Sequence, residues 1–188
     1  MLFQRCLAVN TADYTQKDTW TAEAQLVPSD AVQPVIRAAD MAAHVALGKA
    51  WRLRVSGVLG STGTPTFTFV VRLYTSNASI AGTVLAQSAA ITAASGVSNQ
   101  SWFLEAAFAC RTQSTSASFS LLWAHVESGG GFASPYKYGM WPGGAASATW
   151  TASYSTVVDQ YVSLSAACSA SSGSNLLLVK GVTLEELN

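Results

Sequence analysis

Residues 51–59 read WRLRVSGVL, and residues 66–74 read TFTFVVRLY. In the first stretch Trp51, Leu53 and Val55 fall on one side of a two-residue period and Arg52 and Arg54 on the other, with Val58 placed on the apolar side. That period marks a half-buried strand, because successive side chains of a strand point to opposite faces. The second stretch is rich in β-branched and aromatic residues, which suit a pleated surface. Between them GSTGTP supplies turn residues, so residues 51–74 are expected to form a hairpin.

The same texture continues along the chain. TVLAQSAAIT (83–92) reads as a weaker strand, and SWFLEAAFACR (101–111) with SFSLLWAHVE (118–127) as a second hairpin around RTQSTSA. TVVDQYVSLSAAC (156–168), a turn SASSGSN and LLLVKGVTLEEL (176–187) close the chain on strands. The first fifty residues differ. MLFQRCLAV reads as an opening strand and Asp18 to Val27 as another, but Pro28 and Pro34 break the pattern beyond them, and apolar residues between Ile36 and Leu47 have the spacing of a short helix.

Together these segments predict an all-β chain of eight or nine strands: an antiparallel β-sandwich with jelly-roll-like topology and an irregular N-terminal segment holding at most a short helix. Residues 1–49 are expected to be strands and an arm or loop packing on a main domain of residues 50–188, the whole forming one structural unit.

Composition narrows the function. Charged residues are 11% of the chain and cancel to a net of zero, so no basic face for a phosphate backbone is expected and nucleic acid is not an expected partner. Apolar runs such as Leu176–Val179 fall far short of the roughly 20 residues of a spanning helix, so no membrane is expected either. The start lacks the apolar core and cleavage site of a signal peptide, which predicts synthesis in the cytoplasm without general export. Cys6, Cys110 and Cys168 are odd in number and far apart, and are expected to be reduced core residues.

Catalytic patterns are scarce. His44 and His125 have no CxxC or HxxxH companions, and there is no GxSxG elbow, P-loop or DxDxD-type loop, so no metal, no cofactor and no enzymatic activity are expected. Glu105 and Glu127, which a hairpin would place on neighbouring strands, are the carboxylates weighed for glycoside hydrolysis. The feature that stands out is GGGFASPYKYGMWPGG at 129–144, read as a long irregular loop of the functional kind. Its Phe132, Tyr136, Lys137, Tyr138 and Trp141 are the candidate interface residues, aromatic contact area with a cation between two tyrosines. The competing reading has Phe132 and Trp141 plugging one end of the sandwich.

The succession WRLRVSGVLGSTGTPTFTFVVRLY, AGTVLAQS, GVSNQSWFLEAAFACR and SNLLLVKGVTLEEL resembles small all-β virion proteins of tailed bacteriophages, which occur as capsid decoration proteins and as other head or tail surface components. The resemblance covers about residues 50–128 and 156–188 and carries no catalytic motif. It implies a jelly-roll protein of the capsid surface, often a homotrimer, bound to the major capsid protein or another virion protein and cementing the shell. The alternative is a receptor- or glycan-binding module of a head or tail fibre, with the aromatic loop stacking on sugar rings.

Overall fold

The structure, a computed structural model, describes residues 4–10, 13–14, 16–27, 33–42, 49–76, 80–111, 117–142, 151–155 and 157–187. The chain enters through strand β1 (Gln4–Asn10), then makes short strands β2 (Ala24–Gln25) and β3 (Val35–Ile36) and a short helix α1 (Ala38–Ala42). Next come β4 (Ala50–Gly60), β5 (Thr66–Tyr74), β6 (Thr83–Ser88), β7 (Ile91–Thr92), β8 (Gln100–Cys110) and β9 (Ala117–Glu127). The last four are β10 (Lys137–Trp141), β11 (Thr151–Tyr154), β12 (Gln160–Cys168) and β13 (Leu176–Leu187).

Every pairing among them is antiparallel. One layer runs β1-β13-β4-β8-β9, with β11 also on β9. The other runs β6-β5-β12, with β7 on β5 and both β2 and β3 on β12. Strand β10 joins the layers along one side: Lys137–Gly139 pair with β9, and Met140 and Trp141 pair with β6. The pairs β4/β13, β5/β12, β6/β10 and β8/β9 nest one inside the next along the chain, as in a long hairpin wound up on itself, the principle of jelly-roll connection.

Period-two patterning puts the core between these layers. Trp51, Leu53, Val55 and Leu59 of β4 and Phe67, Phe69, Val71 and Leu73 of β5 are all buried. Phe69 of one layer meets Trp102 of the other with ring centroids 5.2 Å apart, and Trp51 packs against Phe108 and Phe119 at 6.1 and 5.6 Å. Each such side chain contributes on the order of 1.5–3 kcal/mol of burial, and this repeated pattern is what selects the fold.

Several expectations change. Residues 51–74 are not a hairpin, because β4 and β5 lie in different layers. The GSTGTP turn carries the chain across the end of the sandwich, held there by Ser61 N–H to the Val97 carbonyl (2.9 Å) and Thr62 N–H to Asn175 Oδ1 (2.8 Å). Turn residues look alike whether strands return beside each other or cross over, and the long-range partners decide. Val58 faces outward, since the pleat continues through Gly57 to Leu59, and Gly57 is inward because the Trp102 indole lies against it. The 83–92 strand breaks into β6 and β7, and of the 18–27 strand only Ala24–Gln25 pairs. Cys110 and Cys168 are buried, whereas Cys6 is exposed on β1, a strand at the rim of its layer. His44 and the end of the expected helical run lie outside the described residues. No helix among the described residues is long and apolar enough to cross a membrane.

Candidate functional site

The 129–144 segment is not irregular throughout. Lys137 to Trp141 form β10, because β9 and β6 each present an open edge that its backbone completes, and this outweighs the nearby glycines and prolines. Residues 143 and 144 lie outside the described residues. Before β10, the turn is tightly fastened. Ser128 N–H donates to the Tyr136 carbonyl (2.9 Å), Ser128 Oγ donates to the Ser101 carbonyl (2.6 Å) and accepts from Gly131 N–H (3.0 Å). Ala133 N–H donates to the Thr92 carbonyl (2.9 Å), and the Ser134–Pro135 peptide is cis. Gly131 lets the turn close tightly: a Cβ there would meet Ser128 Oγ at 2.5 Å and Leu59 at 2.7 Å, so a larger residue would have to shift those side chains.

This framework separates the five candidate residues. Phe132 is 1% exposed, edge-on to Tyr138 at 5.9 Å and to Phe69 at 6.2 Å, so it takes the plugging role. Tyr138 is half-buried against the core, its hydroxyl donating to the Ala133 carbonyl (3.1 Å). Trp141 sits half-buried opposite Gln87 on the β6 side. Tyr136, 56% exposed, and Lys137 remain together at the surface.

Those two form one wall of a trough of about 430 Å3 on the outer face of the β4-β8-β9 layer. Phe103 of β8 faces it, with Ser56, Ser101 and Ser128 and the Glu127 carboxylate around it. Register explains the assembly: Ser56 lies opposite Phe103, Phe103 opposite Glu127, and Glu127 opposite Lys137, one row across four strands. Lys137 Nζ stands 3.6 Å from Glu127.

The neighbouring rows carry the rest of the face. Arg52 donates from Nε and Nη2 to Glu185 (2.9 and 2.7 Å), Arg54 donates to Glu105 (2.7 Å), and Arg54 Nη1 lies 3.6 Å from Glu185. Glu105 thus sits on the strand beside Glu127, but its carboxylate is held by Arg54 and its cross-strand partner is His125. His125 lies between the Phe103 and Trp123 rings, at 6.3 and 5.7 Å. Burial pushes its pKa below 6.5 and the Lys137 charge adds to this, against smaller opposing pulls from Glu127 and Glu105. No group of three His, Cys, Asp or Glu able to hold a metal ion occurs among the described residues.

Of the trough, the sequence reading found Tyr136 and Lys137 and missed Phe103, Ser101 and Ser56. The missed signal was an aromatic residue in the outward phase of SWFLEAAFACR, where Trp102, Leu104 and Ala106 point in and Phe103 and Glu105 point out.

No family model matches the chain, and no curated protein matches it in sequence. Solved structures that align with it include a phage module and a lectin. The CBM2 module of the Lactobacillus casei BL23 phage J-1 evolved Dit aligns over 74% of this chain at 11% identity and a TM-score of 0.27, and the chain spans 62% of that structure's length. Peanut lectin, solved with a nine-residue peptide, aligns over 100% of this chain and 99% of its own at 9% identity and a TM-score of 0.38. Likeness at that level assigns no family.

Proposed function

We propose that this chain is a non-enzymatic binding module of a tailed-phage particle and that its outer sheet face takes carbohydrate. One observation carries the reading: Phe103 and Tyr136 line an open trough together with Ser56, Ser101, Glu127 and Lys137. A sugar has two kinds of surface, apolar C–H faces and a rim of hydroxyls, and a site with rings beside hydrogen-bonding groups answers both. The volume lies within the range of small-molecule sites, roughly 300–1,000 Å3. The placement on a phage particle rests on the sequence resemblance, and the absence of an enzymatic role on the lack of a catalytic motif.

The test is retention on a printed glycan array. The wild-type protein is expected to mark a defined subset of glycans, and Tyr136→Ala is expected to lose it while keeping its far-ultraviolet spectrum. An array with no retained glycan, or unchanged retention by Tyr136→Ala, overturns the reading.

A second reading, capsid decoration as a homotrimeric cement on the major capsid protein, is favoured by a different observation. Leu122, Val157 and Val158 are exposed on a chain of zero net charge, which suits close approach to another protein. Co-sedimentation with particles that lack the protein, saturating at a fixed number of sites, would support it. Failure to co-sediment removes it.

A further inference from the structure

The trough is not closed where Phe103 ends it. The Phe103 ring continues to His125 at 6.3 Å, and the His125 imidazole is stacked on Trp123 at 5.7 Å with planes 21° apart. These rings form a continuous strip along β9 from Glu127 back to Trp123, four residues or about 14 Å at the rise of a strand. Its far end is shaped by a bulge. The β8/β9 register slips between Ala107 and Phe108, so that Ala107 faces Trp123 and Phe108 faces Leu121, leaving Leu122 as an extra, bulged residue. A bulge re-aims side chains, and here Leu122 and Trp123 are both turned out, 42% and 41% exposed.

Charge on this face constrains what can lie there. Arg52 is paired with Glu185, Arg54 with Glu105, and Lys137 with Glu127. Three cations and three carboxylates cancel within the face. With these charges balanced, the face offers no net field to draw in an anionic or cationic ligand, and an uncharged ligand needs none.

Resting on the carbohydrate reading above, we infer that the ligand is an uncharged, extended glycan chain laid along β9, from the trough at Tyr136 and Phe103 to the exposed Trp123. A single terminal sugar would sit in the trough and leave the strip bare. A chain covers both, with the trough fixing one unit by hydrogen bonds and Trp123 stacking under a later one.

The experiment titrates the protein, by calorimetry and tryptophan fluorescence, with neutral linear gluco-, xylo- and manno-oligosaccharides from single sugars to hexasaccharides, and with oligogalacturonates as charged counterparts. Affinity for one neutral series is expected to rise about tenfold or more between its shortest bound member and its longest, the scale on which an interface aromatic acts. Trp123→Ala is expected to erase that rise while leaving the short member's affinity unchanged, and Tyr136→Ala to weaken every length. Trp123 is on the surface, so its removal leaves the core intact. Affinity that does not grow with length, a silent Trp123→Ala, or tighter binding of oligogalacturonates overturns the inference and leaves the carbohydrate reading standing. A Trp123→Ala variant whose mass by light scattering falls to a smaller oligomer also overturns it, making the strip a contact between copies of the chain. Binding of no sugar at all sinks both.

Discussion

The Trp123 indole lies over the His125 imidazole, centroids 5.7 Å apart and planes 21° from parallel, on the outer face of a sheet whose core is on its other side. Burial is the first reason the imidazole resists protonation, with Lys137 the second. The lowered value sets the sign of the pH dependence. As pH falls below 6.5 the unfolded chain takes up the proton first, so the stability His125 contributes is present above 6.5 and is lost as pH falls through its lower folded value. In urea unfolding measured from pH 8 to pH 5, wild-type protein is expected to lose more stability than His125→Gln. Equal losses would show that its surroundings do not hold the imidazole neutral.

Phe132 and Tyr136 are four positions apart in one turn and should behave oppositely. Phe132 is buried between Phe69 and Tyr138, so Phe132→Ala opens a cavity and is expected to lower stability by about 3–5 kcal/mol. Tyr136 is more than half exposed, so Tyr136→Ala should stay within about 0.5 kcal/mol while abolishing glycan retention. Denaturant midpoints of the two variants check this directly.

The same two residues show where sequence reading reached its limit. Period-two alternation in residues 51–59, 66–74, 101–111 and 176–187 is a local property, and it places Trp51, Phe69, Leu104 and Leu184 inside without any knowledge of the partners. Partner choice is not local. GSTGTP gave no sign that β4 and β5 part into different layers, and the glycines around 129–144 gave no sign that Lys137 to Trp141 would complete two sheet edges. The trough needs a row of Ser56, Phe103, Glu127 and Lys137, which exists only once three registers are set. Ser56, Phe103 and Glu127 fall on the outward phase of their strands, but Lys137 lies in a segment that reads as loop, and the meeting of the four is not a local property.

Gly57 is a prediction about those registers. It faces the Trp102 indole across β4 and β8, and a Cβ there would lie 2.8 Å from the ring and 2.1 Å from the Leu178 carbonyl oxygen. Backbone on one side and a buried ring on the other leave little to give. Gly57→Ala is expected to cost at least about 1–3 kcal/mol by overpacking, and to disturb the β4/β13 register beside the Lys180 irregularity. Calorimetric unfolding measures the cost, and a midpoint equal to wild type would show that β4 is held more loosely between β8 and β13 than these contacts imply.

On the opposite layer, Glu23 ties the N-terminal segment to β5 and β12. Arg72 donates to both of its oxygens (2.9 and 2.8 Å), and Ser165 Oγ donates to it as well. Burial alone would raise its pKa, but hydrogen bonds from Arg72 and Ser165, with the Arg72 charge, outweigh that and leave it lowered below 4.5. Its contribution is therefore present above 4.5 and lost as pH falls through the lower folded value. Glu23→Gln keeps the size of the side chain but leaves Arg72, itself mostly buried, without its anion, and is expected to lose about 1.5–3 kcal/mol at pH 7. That difference should shrink as acid protonates the wild-type carboxyl. Paired urea titrations across the acid range provide the check, and a gap that stays constant would mean that the carboxylate's charge contributes nothing to holding this segment on the sheet.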